Sequence, residues 1–226
     1  MYAEAMNSLP IQIVFPAAGA LLVTGLLRFT WRDRDRAALI CKTLASLCFV
    51  LLALTGGGMG TFYGRMIGAG LLLGMIGDIC LGIRGDRWFL AGLVAFLGGH
   101  LCYASAFFEL SAPHWWDPLI FTCVALLGSA VITWLKPVVG RMLAPVYAYA
   151  AVIMLMLIGG LNALNHVDDR LLCWSVVAGA CLFVVSDLFV ARQRFVRPGR
   201  INPMIGLPLY YISQFILAMT PAFYTR

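Results

Sequence analysis

Asp78 and Asp187 lie inside apolar stretches, LLLGMIGDICLG and CLFVVSDLFVA. A carboxyl group in hydrocarbon is costly, and those that persist there mark proton relays, ion paths or reacting sites. Lys42, in CKTLAS, and His100, in FLGGHLCY, are the other ionisable residues at such positions. Two carboxylates and one ammonium in a poorly solvated layer leave a net negative charge, which protonation of one carboxyl removes at least cost. Both aspartates also sit near the C-terminal end of a helical stretch, where the macrodipole disfavours negative charge. A neutral carboxylic acid beside a carboxylate is an acid–base pair, so Asp78 and Asp187 are the candidate catalytic residues. The bland alternative is a structural ion pair with Lys42.

The elements that must carry these groups follow from composition. The chain of 226 residues is 62% hydrophobic and 12% charged, with a mean hydropathy of +0.91. That is more apolar surface than a soluble domain of this size can use. Apolar runs of about 18–21 residues recur, each long enough to span a bilayer as a helix. Eight are expected, near 11–28, 37–54, 65–82, 88–108, 118–135, 143–163, 171–191 and 204–223. They lack the two-residue alternation of barrel strands, and only helices or closed barrels satisfy their backbone in lipid. The expected fold is all-α, a polytopic transmembrane helical bundle forming a single domain over residues 1–226.

The net charge of +6 does not point to nucleic acid, because of where it sits. Twelve of the sixteen basic residues, among them Arg28, Arg84, Lys136, Arg192, Arg194 and Arg200, fall at the first, third, fifth and seventh connections. Arg65, Arg170 and Arg226 lie at the opposite ends. By the positive-inside rule, those four connections are cytoplasmic and both termini non-cytoplasmic. The first span lacks a preceding Lys or Arg and a clear small-residue cleavage site, so it is expected to be retained. The protein is expected to be integral to a bacterial inner membrane, with its site toward the cytoplasmic leaflet. All seven cysteines fall in expected spans with no CxxC, which reads as small buried residues and predicts no disulfide and no metal site.

Under this topology Asp78, Asp187 and Lys42 share one layer, roughly 6–8 Å inside the cytoplasmic boundary at 1.5 Å per residue. Tyr147 in the sixth span and Tyr210 and Tyr211 in the eighth fall near it, with Gln214 and His100 deeper. Gly70, Gly74, Asp78 and Gly82 recur every fourth residue, a stripe suited to close helix contact. Phe96, His100, Tyr103 and Phe107 share one helical face, and Tyr211, Gln214 and Ala218 another. A faint duplication is visible, Asp78 being followed by Tyr103 and Asp187 by Tyr211 in the next span.

Taken together, GDICLG, FLGGHLCYASAF, GACLFVVSDLFVA and YYISQ, with Lys42 in the second span and Pro145–Tyr147 opening the sixth, resemble the YhhN-like lysoplasmalogenase family of integral membrane proteins. The resemblance covers nearly the whole chain. It implies a hydrolase that cleaves the vinyl ether of lysoplasmalogens, giving a fatty aldehyde and a glycerophospho-alcohol such as glycerophosphoethanolamine or glycerophosphocholine. The family's paired aspartates map onto Asp78 and Asp187 and its lysine onto Lys42.

The residue types suit that chemistry independently. Protonating the terminal alkene carbon of a vinyl ether gives an oxocarbenium ion, water adds, and the hemiacetal collapses. This needs an acid and a base, as in glycoside hydrolysis, and no cofactor. One aspartate serves as acid and the other as base, with the assignment open. Lys42 holds a carboxylate ionised or contacts the lipid phosphate. His100, Tyr103, Tyr147, Tyr210, Tyr211 and Gln214 are candidates for substrate binding. The partners expected are a lysophospholipid substrate and membrane lipid, with no nucleic acid. The main rival is a proton-coupled transporter of a small solute or lipid, since intramembrane Asp and Lys also line ion pathways. A cysteine enzyme built on Cys80 or Cys102 with His100 is a weaker one, because positions 100 and 102 face different ways on a helix.

Overall fold

Apolar runs without water to bond their backbone close every N–H and C=O internally, and the chain does this as helices. The computed structural model describes residues 2–110 and 117–224, with side chains from residue 12 onward. Eight α-helices follow one another: α1 (Tyr2–Trp31), α2 (Asp35–Thr55), α3 (Phe62–Leu81), α4 (Asp86–Leu110), α5 (Pro118–Leu135), α6 (Leu143–His166), α7 (Arg170–Ala191) and α8 (Ile201–Phe223). Among the described residues there is no strand. All eight helices are long and apolar enough to cross a membrane, and the protein is an integral membrane protein. Arg226 lies outside the described residues.

Helix limits lie within about three residues of the expected spans, except that α1 begins at Tyr2, ahead of the expected start at residue 11. Side-chain caps fix several starts. Thr61 accepts from Gly64 N at 3.0 Å ahead of α3. Asp117 accepts from Leu119 N at 2.7 Å ahead of α5, with Pro118 supplying the first-turn residue that needs no donor. Asp169 does the same for α7.

The helices pack in sequence as α1 on α2, α2 on α3 and α3 on α4; α4 then meets α6, α6 meets α7 and α7 meets α8. Helix α8 closes this ring by touching α1, α2 and α3 as well, while α5 leans on α6 from outside. Close approach to α3 depends on its glycines. A methyl group on Gly70 would lie 2.4 Å from the Tyr103 ring, one on Gly74 2.9 Å from Gln214 Nε2, and one on Gly77 2.6 Å from Phe96. The glycine stripe therefore admits aromatic and amide side chains from α4 and α8 toward the Asp78 turn. Two serines lock α7 to α8: Ser186 Oγ donates to Gly206 O at 3.1 Å and Ser213 Oγ to Gly179 O at 2.7 Å.

Because consecutive helices alternate in direction, the C-terminal turns of α1, α3, α5 and α7 gather with the N-terminal turns of the even helices. This end carries the basic connections. Arg84 pairs with Asp35 at 2.7 Å and Arg200 with Asp33 at 2.9 Å. These pairs are exposed and contribute little to stability. A single π-helical turn, Arg192–Val196, extends α7 here.

Candidate active site

A cavity of about 490 Å³ opens at the basic end, and all eight helices contribute to its wall. The C-terminal halves of α1, α3, α5 and α7 and the N-terminal halves of the even helices supply the lining. Its surface is mostly apolar, with Lys42, Asp78, Asp187 and Tyr210 among its polar groups. A volume of this size accommodates a small lipid fragment.

Asp78, one turn before the end of α3, is 1% exposed and fully bonded. Lys42 Nζ lies 3.1 Å from its Oδ1. Its Oδ2 accepts from Ser46 Oγ at 2.5 Å and from Tyr210 OH at 2.8 Å. Ser46 sits one turn beyond Lys42 on α2, so one helical face delivers both an ammonium and a hydroxyl. Ser46 Oγ also lies 3.0 Å from Lys42 O, but its single proton favours the carboxylate, the stronger acceptor. Tyr211 OH, 3.2 Å from Ser46 Oγ, donates to Lys42 O at 3.0 Å and ties α8 to α2.

Asp187, one turn before the end of α7, has different company. Tyr149 OH donates to its Oδ2 at 2.5 Å. His100 Nε2 is 3.7 Å from the same oxygen, beyond hydrogen-bonding range. No Lys or Arg pairs with Asp187 among the described residues, and its side chain retains 17% exposure toward the cavity. His100 is buried at 1%, with Nδ1 2.6 Å from Phe96 O. A carbonyl only accepts, so Nδ1 carries the hydrogen and Nε2 presents a lone pair with no hydrogen-bond partner. The ring is wedged between Phe183, with centroids 4.4 Å apart, and Tyr149, at 5.2 Å.

The two carboxyls thus share a cavity without sharing a cation. Tyr210, which holds Asp78, and Phe183, which packs on His100, are in edge-to-face contact with each other and with Phe96 at 5.4–6.2 Å. Tyr103 OH donates to Gln214 Oε1 at 2.6 Å, leaving Gln214 Nε2 buried and unpartnered beside Gly74. Asp78 binds Tyr210 of α8 rather than Tyr103 of the next span, and Asp187 binds a tyrosine of α6. The bonding therefore does not follow the faint duplication.

The YhhN family model matches residues 37–220. This chain belongs to the YhhN family. The YhhN match encloses every candidate residue, from Lys42 to Gln214. The chain is 28% identical to human lysoplasmalogenase TMEM86B over 84% of its own length and 79% of the relative's. It is 29% identical to human lysoplasmalogenase TMEM86A over 67% of its length, spanning 62% of that relative. It is 28% identical to the lysoplasmalogenase of Mycobacterium tuberculosis over 72%, again spanning 62% of the relative. No solved structure matches the chain.

Within this YhhN chain the structure gathers most of the expected residues around the carboxyls. Lys42, Tyr210 and, through Ser46, Tyr211 surround Asp78, His100 faces Asp187, and Tyr103 with Gln214 packs beneath. Tyr147 is the exception. It is half-buried and absent from the cavity wall, while Tyr149 holds Asp187. Two residues on a helix differ by about 200° in direction, so only one of this pair can face inward. Tyr149 lies beside the buried stripe Val146, Ala150, Ile153 and Leu157, and Tyr147 does not. Ser46 was also missed, although its place four residues after Lys42 marks the same face.

Proposed function

We propose that this protein is a membrane hydrolase that cleaves the vinyl ether of a lysoplasmalogen, releasing a fatty aldehyde and a glycerophospho-alcohol such as glycerophosphoethanolamine or glycerophosphocholine. The observation that carries the reading is the asymmetry of the carboxyls on one cavity wall. Asp78 is ion-paired with Lys42, and Asp187 has only a phenol and a histidine beside it. That is the division of labour an acid–base mechanism needs. Relatives named lysoplasmalogenase support it.

The ammonium beside Asp78 favours its carboxylate form, and no cation among the described residues does so for Asp187, so Asp78 is the base and Asp187 the acid. Asp187 gives its proton to the terminal alkene carbon, and the carboxylate it becomes faces the oxocarbenium ion. Water adds to the cationic carbon and passes a proton to Asp78. In the collapse, the hemiacetal hydroxyl returns a proton to Asp187 while Asp78 protonates the departing ether oxygen. The aldehyde leaves, and both carboxyls are reset. Tyr149 holds Asp187 in place and Tyr210 holds Asp78. By the charge rule, the cavity opens to the cytoplasmic leaflet, the tail lies among the apolar wall and the headgroup lies at the basic rim. The charged groups gather at one end of the bundle, whereas a carrier holds its site near the midplane.

Purified protein in detergent, given an alkenyl-lysophospholipid in D₂O, should release aldehyde carrying solvent deuterium on the carbon next to the carbonyl. Aldehyde without that label would rule out carbon protonation as the chemical step. Replacing Tyr149 by Phe should lower kcat roughly tenfold, the loss of one bond to a reacting carboxyl. Tyr147→Phe should stay within about twofold in the same assay, given the ordinary tolerance of sites away from such contacts. Equal losses in the two variants would contradict the assigned facing of α6.

A further inference from the structure

A lysophospholipid carries a phosphate, and Lys42 is not free to hold it: its ammonium is taken by Asp78 at 3.1 Å, deep in the cavity. The only other basic residue on the described cavity wall is Arg194. It sits at the rim, in the π-helical turn that follows α7. Such turns add a residue that redirects a side chain, often at functional sites. Arg194 is seven residues beyond Asp187, roughly 10 Å along a helix axis, which matches the reach of about seven bonds from the alkene carbon to the phosphorus of the lipid.

The guanidinium is prepared for an anion. Its carbon stands 4.5 Å over the Phe89 ring, which fixes the plane of the fork. Phe195 packs edge-on against Phe89 at 5.9 Å. One nitrogen, Nη2, donates to Asp86. Among the described residues the other edge, Nε and Nη1, has no protein acceptor, and that edge is the geometry that binds two phosphate oxygens. The turn is held from behind. Arg192 Nη1 donates to Asn202 Oδ1 at 2.5 Å, and Asn202 Nδ2 donates to Gln193 Oε1 at 2.7 Å and Arg197 O at 2.8 Å. Asn202 is 1% exposed, so this clamp is built into the α7–α8 junction. Arg84 and Arg200 carry the same charge at the same end and make the same kind of one-nitrogen pair, with Asp35 and Asp33, but neither lines the cavity.

We propose that Arg194 binds the phosphodiester of the substrate headgroup and thereby sets the depth at which the ether bond meets Asp187. The assignment of the ether bond rests on the hydrolase reading above; the binding of the phosphate does not. The test uses the purified full chain in detergent micelles. Its probes are a non-cleavable 1-alkyl-lysophospholipid and the matching 1-alkylglycerol, which lacks the phosphate. Arg194→Gln should weaken binding of the phospholipid roughly tenfold and leave the alkylglycerol unchanged. Arg194→Lys, which keeps charge without the fork, should fall between. Arg200→Gln should change neither. In turnover, Arg194→Gln should raise KM and lower kcat for the alkenyl-lysophospholipid, whose depth is no longer set, and spare the alkenylglycerol. Equal loss for both probes, or none for either, would overturn the proposal. So would displacement of the lipid by inorganic phosphate at comparable concentration, which would mark a simple ion site. If the unsubstituted protein released no aldehyde while the binding difference persisted, the hydrolase reading would fail and the phosphate site would stand.

Discussion

Asp187→Asn is expected to abolish turnover while leaving the protein folded and able to bind substrate. The amide keeps the size of the side chain and still accepts from Tyr149, but it has no proton to give to carbon. Loss of a positioned general acid lowers kcat by about two to four orders of magnitude. No cation is stranded, because none is paired with Asp187 among the described residues. Aldehyde release in a single turnover should therefore collapse, while the thermal midpoint and the affinity for a 1-alkyl-lysophospholipid stay near those of the parent. Retention of the rate within a few fold would remove Asp187 from the chemistry.

The second large effect concerns Lys42. Lys42→Met takes the ammonium away from a carboxyl that is 1% exposed and leaves it with only Ser46 and Tyr210. Removing one partner of a buried pair costs about 3–5 kcal/mol, mainly the penalty of the charge left behind. Both the thermal midpoint and the activity should fall. The double variant Lys42→Met with Asp78→Asn should regain most of the stability, since no charge is then stranded, and none of the activity. Thermal unfolding and aldehyde release on the four members of this cycle separate the structural part of the pair from its chemical part. If Lys42→Met alone were as stable as the parent, the Lys42–Asp78 bond would not be the buried ion pair that its geometry describes.

Both experiments concern residues that were legible in the chain. A charged residue in the midst of LLLGMIGDICLG stands out because hydrocarbon tolerates so few, and the eight apolar runs follow from length and hydropathy alone. The common level of Asp78, Asp187 and Lys42 also follows, because rise per residue converts sequence position into depth. Direction around the helix axis was harder. An apolar residue is acceptable to both lipid and protein interior, so amphipathic periodicity is weak in a membrane helix. The sequence therefore offered Tyr147 as the candidate of the sixth span, whereas packing on α4 and α7 turns Tyr149 inward. Ser46 went unseen for the same reason, as one more small residue in an apolar helix until α3 placed Asp78 against it.

By itself the sequence determined the number of long apolar helices, the level of the ionisable groups along them and the end of the bundle where they gather, since each of these depends on position along the chain. Only the tertiary structure decided which partner each carboxyl has. Lys42 goes to Asp78, Tyr149 and His100 go to Asp187, and Arg194 turns to the rim. Those choices are made by contacts between helices far apart in sequence, and no local pattern along one helix encodes the rotation of its neighbour.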